Sequence, residues 1–114
     1  PLPVHSPIDG SPEYLPLTRD AEDGSARDLN DTGVIVGSVG IPPRKATFDA
    51  TPNTPLAVIW KNGEVSLLQD KIRAKDWGDL FRGRAINNMG VIAGEGYYKV
   101  AEDQLAFIAI PNSP

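Results

Sequence analysis

The amino-acid sequence predicts an all-β protein that is built from a repeated unit. Residues 25–38 recur as residues 82–95, and both copies carry an Asn-x-x-Gly stretch followed by a short apolar run. Glycine and proline occur eleven times each, which favours short strands and tight turns over long helices. Repeated units of this kind bury their apolar surface by stacking on a neighbouring unit.

The repeated stretch predicts the same strand–turn–strand element twice. The residues from Asn30 to Gly33 have the composition of a type I turn that ends with a glycine in the left-handed region. We expect a short strand before this turn and a second strand from 34 to 39. Identical or similar residues occupy seven equivalent positions: Arg27/Arg84, Leu29/Ile86, Asn30/Asn87, Gly33/Gly90, Val34/Val91, Ile35/Ile92 and Gly37/Gly94.

A hairpin is predicted between the two copies. Residues 55–60 form a continuous apolar run, the Asn-Gly pair at 62–63 suits a type I′ turn, and residues 64–68 form the returning strand. Residues 2–17 resemble a degraded copy of this hairpin, and their prolines favour a place at a sheet edge. Residues 105–110 predict a last strand before Pro111.

The strands of one unit, named a to d, follow the predicted chain order c-d-a-b-c-d-a-b-c. Strands b and c are apolar on both faces, whereas strand d alternates, as expected for covered inner strands and a half-exposed outer strand. This pattern predicts two four-stranded antiparallel units that stack like the blades of a β-propeller, with a two-sheet β-sandwich as the alternative. The connecting stretches are expected at 20–24, 40–54, 70–82, where one turn of helix fits, and 96–103.

We interpret residues 1–114 as one domain, with unit 1 at about 1–54 and unit 2 at about 55–114. Both ends of the chain fall at an equivalent strand c, and a repeat that is cut in this way leaves an unpaired strand edge. We therefore expect the domain to be part of a larger assembly or a longer chain. The expected partner is a further copy or another protein chain, bound through open strand edges.

Composition and charge exclude several classes of function. The chain has no cysteine and a single histidine, His5, so disulfides, thiolate metal sites and histidine-based triads are not expected. The formal net charge of −4 argues against a nucleic-acid partner, which requires a basic surface. No apolar run approaches the ~18 residues of a membrane-spanning helix.

An acidic run that overlaps the first repeated turn is a candidate calcium site. Calcium binds several oxygen ligands on a tight loop. The alternative is that these residues form the turn and carry solvated charges. The second copy favours this alternative, because it keeps Gly90 although Ala85 replaces Asp28 and Asn88 replaces Asp31. The candidate ligands are Asp23, Asp28, Asn30 and Asp31, with Asp20 and Glu22 nearby.

Three aromatic residues are candidates for ligand binding. Trp77, Tyr97 and Tyr98 fall in predicted connectors, where aromatic rings stack on sugars or anchor a partner. The alternative is that they cover the ends of the core, as is expected of Trp60 at the end of strand c.

Charged residues supply no specific sign of catalysis. The repeated Arg27 and Arg84 are interpreted as members of surface ion pairs, each worth at most about 1 kcal/mol. Paired carboxylates support glycoside hydrolysis in some proteins, and Asp76 with Asp79 or Glu102 with Asp103 would qualify by spacing. Any acidic chain offers such pairs, so we do not assign catalytic residues.

The repeat resembles the HAF repeat of bacterial extracellular proteins. HAF repeats carry an Ile-Asn-Asp-x-Gly-x-Val-Val-Gly stretch, a His-Ala-Phe-Leu-Trp strand and a Leu-Gly-rich end. Residues 29–37, 55–63 and 105–108 are similar to the first two elements and cover about half of the chain. The histidine is absent, and Leu67-Leu68-Gln69-Asp70 stands at the Leu-Gly-rich end. The resemblance implies a bacterial secreted or cell-surface protein and brings no catalytic residues.

Three functions remain open from the sequence. The first is a non-catalytic extracellular β-repeat module with a structural, adhesion or protein-interaction role. The second is a carbohydrate-binding module that uses the three aromatic residues. The third is a fragment of a secreted hydrolase.

Overall fold

The computed structural model describes residues 4–5, 13–42, 54–72 and 75–111. Within them the chain is all-β, as predicted, and its nine strands follow the predicted order c-d-a-b-c-d-a-b-c. One 3-10 helix, Leu68–Asp70, follows the sixth strand. The strands are β1 Val4–His5, β2 Glu13–Tyr14, β3 Asp23–Leu29, β4 Ile35–Ile41, β5 Thr54–Lys61, β6 Glu64–Leu67, β7 Trp77–Ile86, β8 Ile92–Tyr98 and β9 Asp103–Ala109.

The strands form three antiparallel sheets. The main sheet has the order β3-β4-β5-β6, the second has the order β7-β8-β9, and β1 pairs with β2. The prediction of two four-stranded units is therefore met only in part, because the four-stranded sheet joins β3 and β4 of predicted unit 1 to β5 and β6 of predicted unit 2, and the second sheet has three strands. In the second, no strand lies beside the far edge of β9 in the described residues, and Ile110 and Pro111 continue beyond the strand without ladder pairing.

Tight turns fix the local geometry as the sequence predicts. Asn62 and Gly63 have φ angles of 54° and 81°, the positive values that a type I′ turn between β5 and β6 requires. Gly33 and Gly90 have φ angles of 85° and 83°, so both copies of the repeated turn end in the left-handed region. The two copies therefore adopt the same conformation.

A β-bulge occurs at the same place in both repeat copies. The register shifts between Ala26 and Asp28 opposite β4, and between Gly83 and Ala85 opposite β8. Glycine is required on the strand opposite, because a methyl group at Gly37 or Gly94 would collide with a carbonyl oxygen of the bulged strand. Such a close backbone approach is one physical reason for a glycine inside a strand.

The four-stranded sheet is covered on both faces. One face packs on the N-terminal segment around Leu15 and Leu17, and Trp60 Nε1 donates a hydrogen bond of 2.7 Å to the carbonyl oxygen of Pro16. The other face packs on the three-stranded sheet. The first core cluster comprises Ile35, Val39, Val58 and Trp60, and the second comprises Val36, Ala57, Leu68, Leu80, Ile86, Ile92 and Phe107.

The registers define which residues of the two sheets are equivalent. Ile35 pairs with Trp60 in the first sheet, and the equivalent Ile92 pairs with Ala109 in the second, so β9 corresponds to β5. By this correspondence the face that buries Val36, Ala57 and Ile59 in the four-stranded sheet is exposed in the three-stranded sheet. We call this the outer face; its apolar residues are Ala93, Ala106 and Ile108, of which Ile108 is 68% exposed.

Several predicted connectors are strands. The stretch from Asp70 to Arg82 was expected to be a loop with one turn of helix, but it holds the end of the 3-10 helix and the first half of β7. Three register shifts interrupt the alternation of inward and outward side chains along β7, so its sequence does not show the period of two that is typical of a strand. Asp23 and Gly24 belong to β3 rather than to a connector, and residues 43–53 of the predicted loop 40–54 lie outside the described residues.

Candidate functional site

The two repeated turns lie side by side and hydrogen bond to each other. The Asn30 side chain builds its own turn, since its Oδ1 accepts from Val34 N at 2.9 Å and from both Thr32 donors. Its Nδ2 crosses to the second turn and donates to the carbonyl oxygen of Asn87 at 3.0 Å. Asn30 is consequently 8% exposed and is a buried polar residue of the core.

Two further residues of the first turn region bind the second copy. Asn88 Oδ1 accepts from Asp31 N at 2.8 Å, and Asn88 Nδ2 donates to Asp31 Oδ2 at 2.7 Å. Asp28 Oδ2 accepts from the Ile86 backbone N–H at 2.8 Å. We call this set of contacts the turn junction. The hydrogen bonds run in both directions, because Asp28 and Asp31 accept through their carboxylates while Asn30 Nδ2 and the Asp31 backbone N–H donate to the second copy.

The junction uses oxygens of three predicted metal ligands. Asp28, Asn30 and Asp31 accept hydrogen bonds through their side chains, whereas Asp23 lies at the opposite end of β3. Across the part of the chain that the structure describes, no three His, Cys, Asp or Glu side chains are grouped to hold a metal ion. The calcium site stays a prediction from the sequence.

A groove of about 600 Å³ opens between the two sheets next to the junction. The floor is apolar, and Lys61 and Lys71 at its rim are both exposed. No carboxylate lines it among the described residues. On one side it follows residues 107–111, the end of β9, and the apolar lining includes Ile59, Leu68, Trp77, Phe107 and Ala109.

The aromatic candidates lie at strand ends, not in the connectors that the sequence predicts. Trp77 begins β7 and its ring centroid is 5.0 Å from that of Tyr98 and 5.8 Å from that of Phe107. Tyr97 precedes Tyr98 in β8, so its side chain points to the opposite face of the sheet. The structure brings Trp77 and Tyr98 together and places Tyr97, which is 39% exposed, apart from them.

Charged side chains on the outer side of the three-stranded sheet form a small network. Arg84 Nε donates to Glu95 Oε1, and Gln104 Nε2 donates to Glu95 Oε2 at 2.9 Å. The hydrogen bond from Arg84 lowers the pKa of Glu95 below its ordinary value of 4.5, against the opposing effect of partial burial. The first copy has Ser38 at the position of Glu95, so the predicted equivalence of Arg27 and Arg84 does not extend to this ion pair.

The carboxylate pairs considered for catalysis are exposed and lie away from the groove. Asp76, Asp79, Glu102 and Asp103 are all classed as solvent-exposed, and none of them lines the groove. Glu102 has a positive φ angle of 53° in the turn between β8 and β9. These pairs do not converge on a cavity in the described residues.

Comparison with protein-family models, with curated proteins and with solved structures found no match for this chain. In the described residues no helix is both long enough and apolar enough to span a membrane. The candidate functions therefore rest on the geometry of the turn junction and the groove.

Sequence reasoning missed the groove and the exact use of the junction. One signal was present at 31/88, where the copies pair the carboxylate of Asp31 with the amide of Asn88, whereas Asp28 accepts from a backbone N–H that the sequence does not single out. A second signal was the small Ala109 at the position that Trp60 fills in β5.

Replacing Asn30 by alanine should destabilise the protein more than replacing Asn87. Asn30 is buried and its side chain satisfies donors of its own turn and the Asn87 carbonyl, whereas the exposed Asn87 side chain satisfies only its own turn. We expect a loss of about 2–4 kcal/mol for Asn30→Ala and about 1 kcal/mol for Asn87→Ala. Urea denaturation of the two variants measures both, and equal losses would contradict the cross-turn role of Asn30.

The ion pair of Glu95 should make a pH-dependent contribution to stability. Since the folded-state pKa is lowered, the contribution is present above pH 4.5 and is lost as the pH falls through the folded-state pKa. The pair is partly exposed, so Glu95→Gln should cost no more than about 1 kcal/mol near neutral pH. Unfolding of both proteins across the acidic range should show the difference shrinking towards zero, and a difference that grows on acidification would contradict this assignment.

Proposed function

We propose that the chain is a non-catalytic β-repeat module that acts by stacking on and binding other protein units. The outer face of the three-stranded sheet carries the proposal. The equivalent face of the four-stranded sheet buries Val36 and Ala57 against the next sheet, whereas Ala106 and Ile108 remain exposed. An exposed face whose equivalent in the other sheet is packed against a sheet is suited to bind a further sheet.

The stack has a direction, and this supports a blade-like arrangement. The N-terminal segment packs on one face of the four-stranded sheet, and the three-stranded sheet packs on the other through its own equivalent face. Each unit thus offers the same face to its successor, which is the relation between neighbouring blades of a propeller. We favour this over a two-sheet sandwich. In a sandwich the inner faces of the two sheets pack against each other, whereas here the two sheets meet through faces that are not equivalent.

The expected setting is a bacterial cell surface or the extracellular space. The Asn-x-x-Gly repeat and its resemblance to HAF repeats support this location, and a structural or adhesive role fits a module that binds through a sheet face. The absence of cysteine is compatible with this location, since packing and the hydrogen bonds of the turn junction hold the sheets together without disulfides.

Carbohydrate binding is the second candidate. Trp77 lines the groove together with the polar side chains of Thr32 and Asn88, and an aromatic ring beside hydrogen-bonding groups is suited to a sugar. Signal on a glycan array that disappears with Trp77→Ala would favour this candidate over protein binding.

The proposed stacking predicts concentration-dependent association that depends on Ile108. Ile108→Lys should reduce self-association, because it places a charge on the outer face, while Val100→Lys serves as a matched control. Both side chains are 68% exposed, but Val100 lies in the turn between β8 and β9. Sedimentation velocity over a wide range of protein concentration measures the effect. A wild-type chain that stays monomeric throughout, or equal effects of the two variants, would contradict the proposal.

A further inference from the structure

We propose that the groove, together with the edge of β9 that no strand of the described residues covers, forms a docking site for one extended strand of another polypeptide. The strand adds to the three-stranded sheet beside β9 and inserts alternate apolar side chains into the groove. This inference rests on the proposed function, in that the chain acts by binding other protein chains, but it uses the edge of β9 and the face with Phe107 and Ala109. Ile108 lies at the border of the two surfaces, because it belongs to the outer face and also lines the groove.

The four-stranded sheet shows what occupies the equivalent position. There β6 pairs with β5 over Val58 to Lys61. The register equivalence places residues 107–109 of β9, and Ile110 just beyond it, at the same positions, and the groove follows residues 107–111. The groove therefore runs along the part of β9 at which a strand of the β6 type would pair.

The faces of β5 and β9 are equivalent as well as their registers. Val65 and Leu67 of β6 point to the face of β5 that carries Val58 and Trp60, and they pack against that core cluster. The same face of β9 carries Phe107 and Ala109, which line the groove. Alternate apolar side chains of an added strand would consequently enter the groove rather than face solvent.

The rim of the groove selects the charge of the strand. Lys61 and Lys71 lie on the rim, and the described residues contribute no carboxylate to the lining. An acidic residue at the end of the strand complements these two lysines. The favoured ligand is thus an extended segment with alternate apolar residues and acidic flanks.

The groove also selects the size of one side chain. Trp60 lies opposite Val65 in the first sheet, a large residue paired with a small one. At the equivalent position β9 has Ala109, so the bulk that Trp60 supplies must come from the added strand. A large apolar residue opposite Ala109 is therefore preferred over valine.

The probe for this site is a fluorophore-labelled synthetic peptide with the sequence of residues 63–70, which contains Glu64, Val65, Leu67 and Asp70. The full chain is titrated into it at concentrations where sedimentation finds monomer, and fluorescence anisotropy follows binding. We expect saturable binding that shifts the emission of Trp77 to shorter wavelength. A peptide with Val65→Phe should bind several-fold tighter, and one with Val65→Asp and Leu67→Asp should lose about tenfold or more.

Two pairs of protein variants locate the binding. Ala109→Trp fills the groove and should weaken binding about tenfold or more, whereas Ala106→Trp places the same side chain on the opposite face of β9 and should leave affinity unchanged. Lys71→Glu should weaken binding several-fold relative to Lys99→Glu, which reverses a charge in the turn between β8 and β9. Both lysines are exposed, so this pair tests the site even if Ala109→Trp fails to fold.

No saturable binding of the peptide, or binding that is indifferent to both Lys71→Glu and Ala109→Trp, would overturn the inference. A valine peptide that binds as tightly as the phenylalanine peptide would overturn the assigned register. Dimers that Ala109→Trp dissociates, without peptide binding, would assign the groove to a second copy and also overturn it. Failure of the peptide with Ile108-dependent association intact removes this inference alone, and the reverse result removes the proposed function alone.

Discussion

The arrangement of the two sheets depends on the buried side chain of Asn30. Its Oδ1 satisfies donors of its own turn, and its Nδ2 satisfies the carbonyl of the second turn. An amide is suited to this position because it accepts and donates at once, which neither a carboxylate nor a hydrocarbon of the same size does. Burial increases the free-energy cost of substituting Asn30, because a lost partner leaves a buried polar group without a hydrogen bond.

The junction turns a sequence repeat into a directional contact. Identical copies would present the same groups to each other, but Asp28 and Asp31 of one copy accept hydrogen bonds from backbone and side-chain donors of the other. The divergence of the copies is therefore as informative as their similarity. It gives the two copies different roles in the contact, because the carboxylates of Asp28 and Asp31 come from the first copy and the donors that bind them come from the second.

The three-stranded sheet has two physically different surfaces. The outer face is mixed in character, since it carries the Arg84–Glu95 pair as well as the exposed Ile108. The groove has a largely apolar lining, and beside it lies an edge of β9 that no strand of the described residues covers and that offers backbone hydrogen bonds. A face suits association with a folded sheet, whereas an edge with a groove suits capture of an unfolded segment.

The local turns and the strand order were predictable from the sequence, and the contacts between units were not. Asn62-Gly63 and the glycines at 33 and 90 each demand a particular φ angle, so a few residues determine the turn. In contrast, the first half of β7 was missed because its bulges break the periodicity, and the groove depends on an edge of β9 that no described strand covers and on a single small residue, Ala109. Such features arise from how elements meet rather than from the residues within one element.

A double-mutant cycle between Asp31 and Asn88 tests the central claim that hydrogen bonds between the turns hold the two sheets together. These residues come from different repeat copies: Asn88 Nδ2 donates to the Asp31 carboxylate at 2.7 Å, and Asn88 Oδ1 accepts from the Asp31 backbone N–H at 2.8 Å, a bond that Asp31→Ala leaves in place. With alanine at each position and at both, chemical denaturation should give a coupling energy of about 0.5–1 kcal/mol, the contribution of the bond between the two side chains. Strictly additive losses would contradict the account, because the turns would then stabilise each sheet separately rather than join the two.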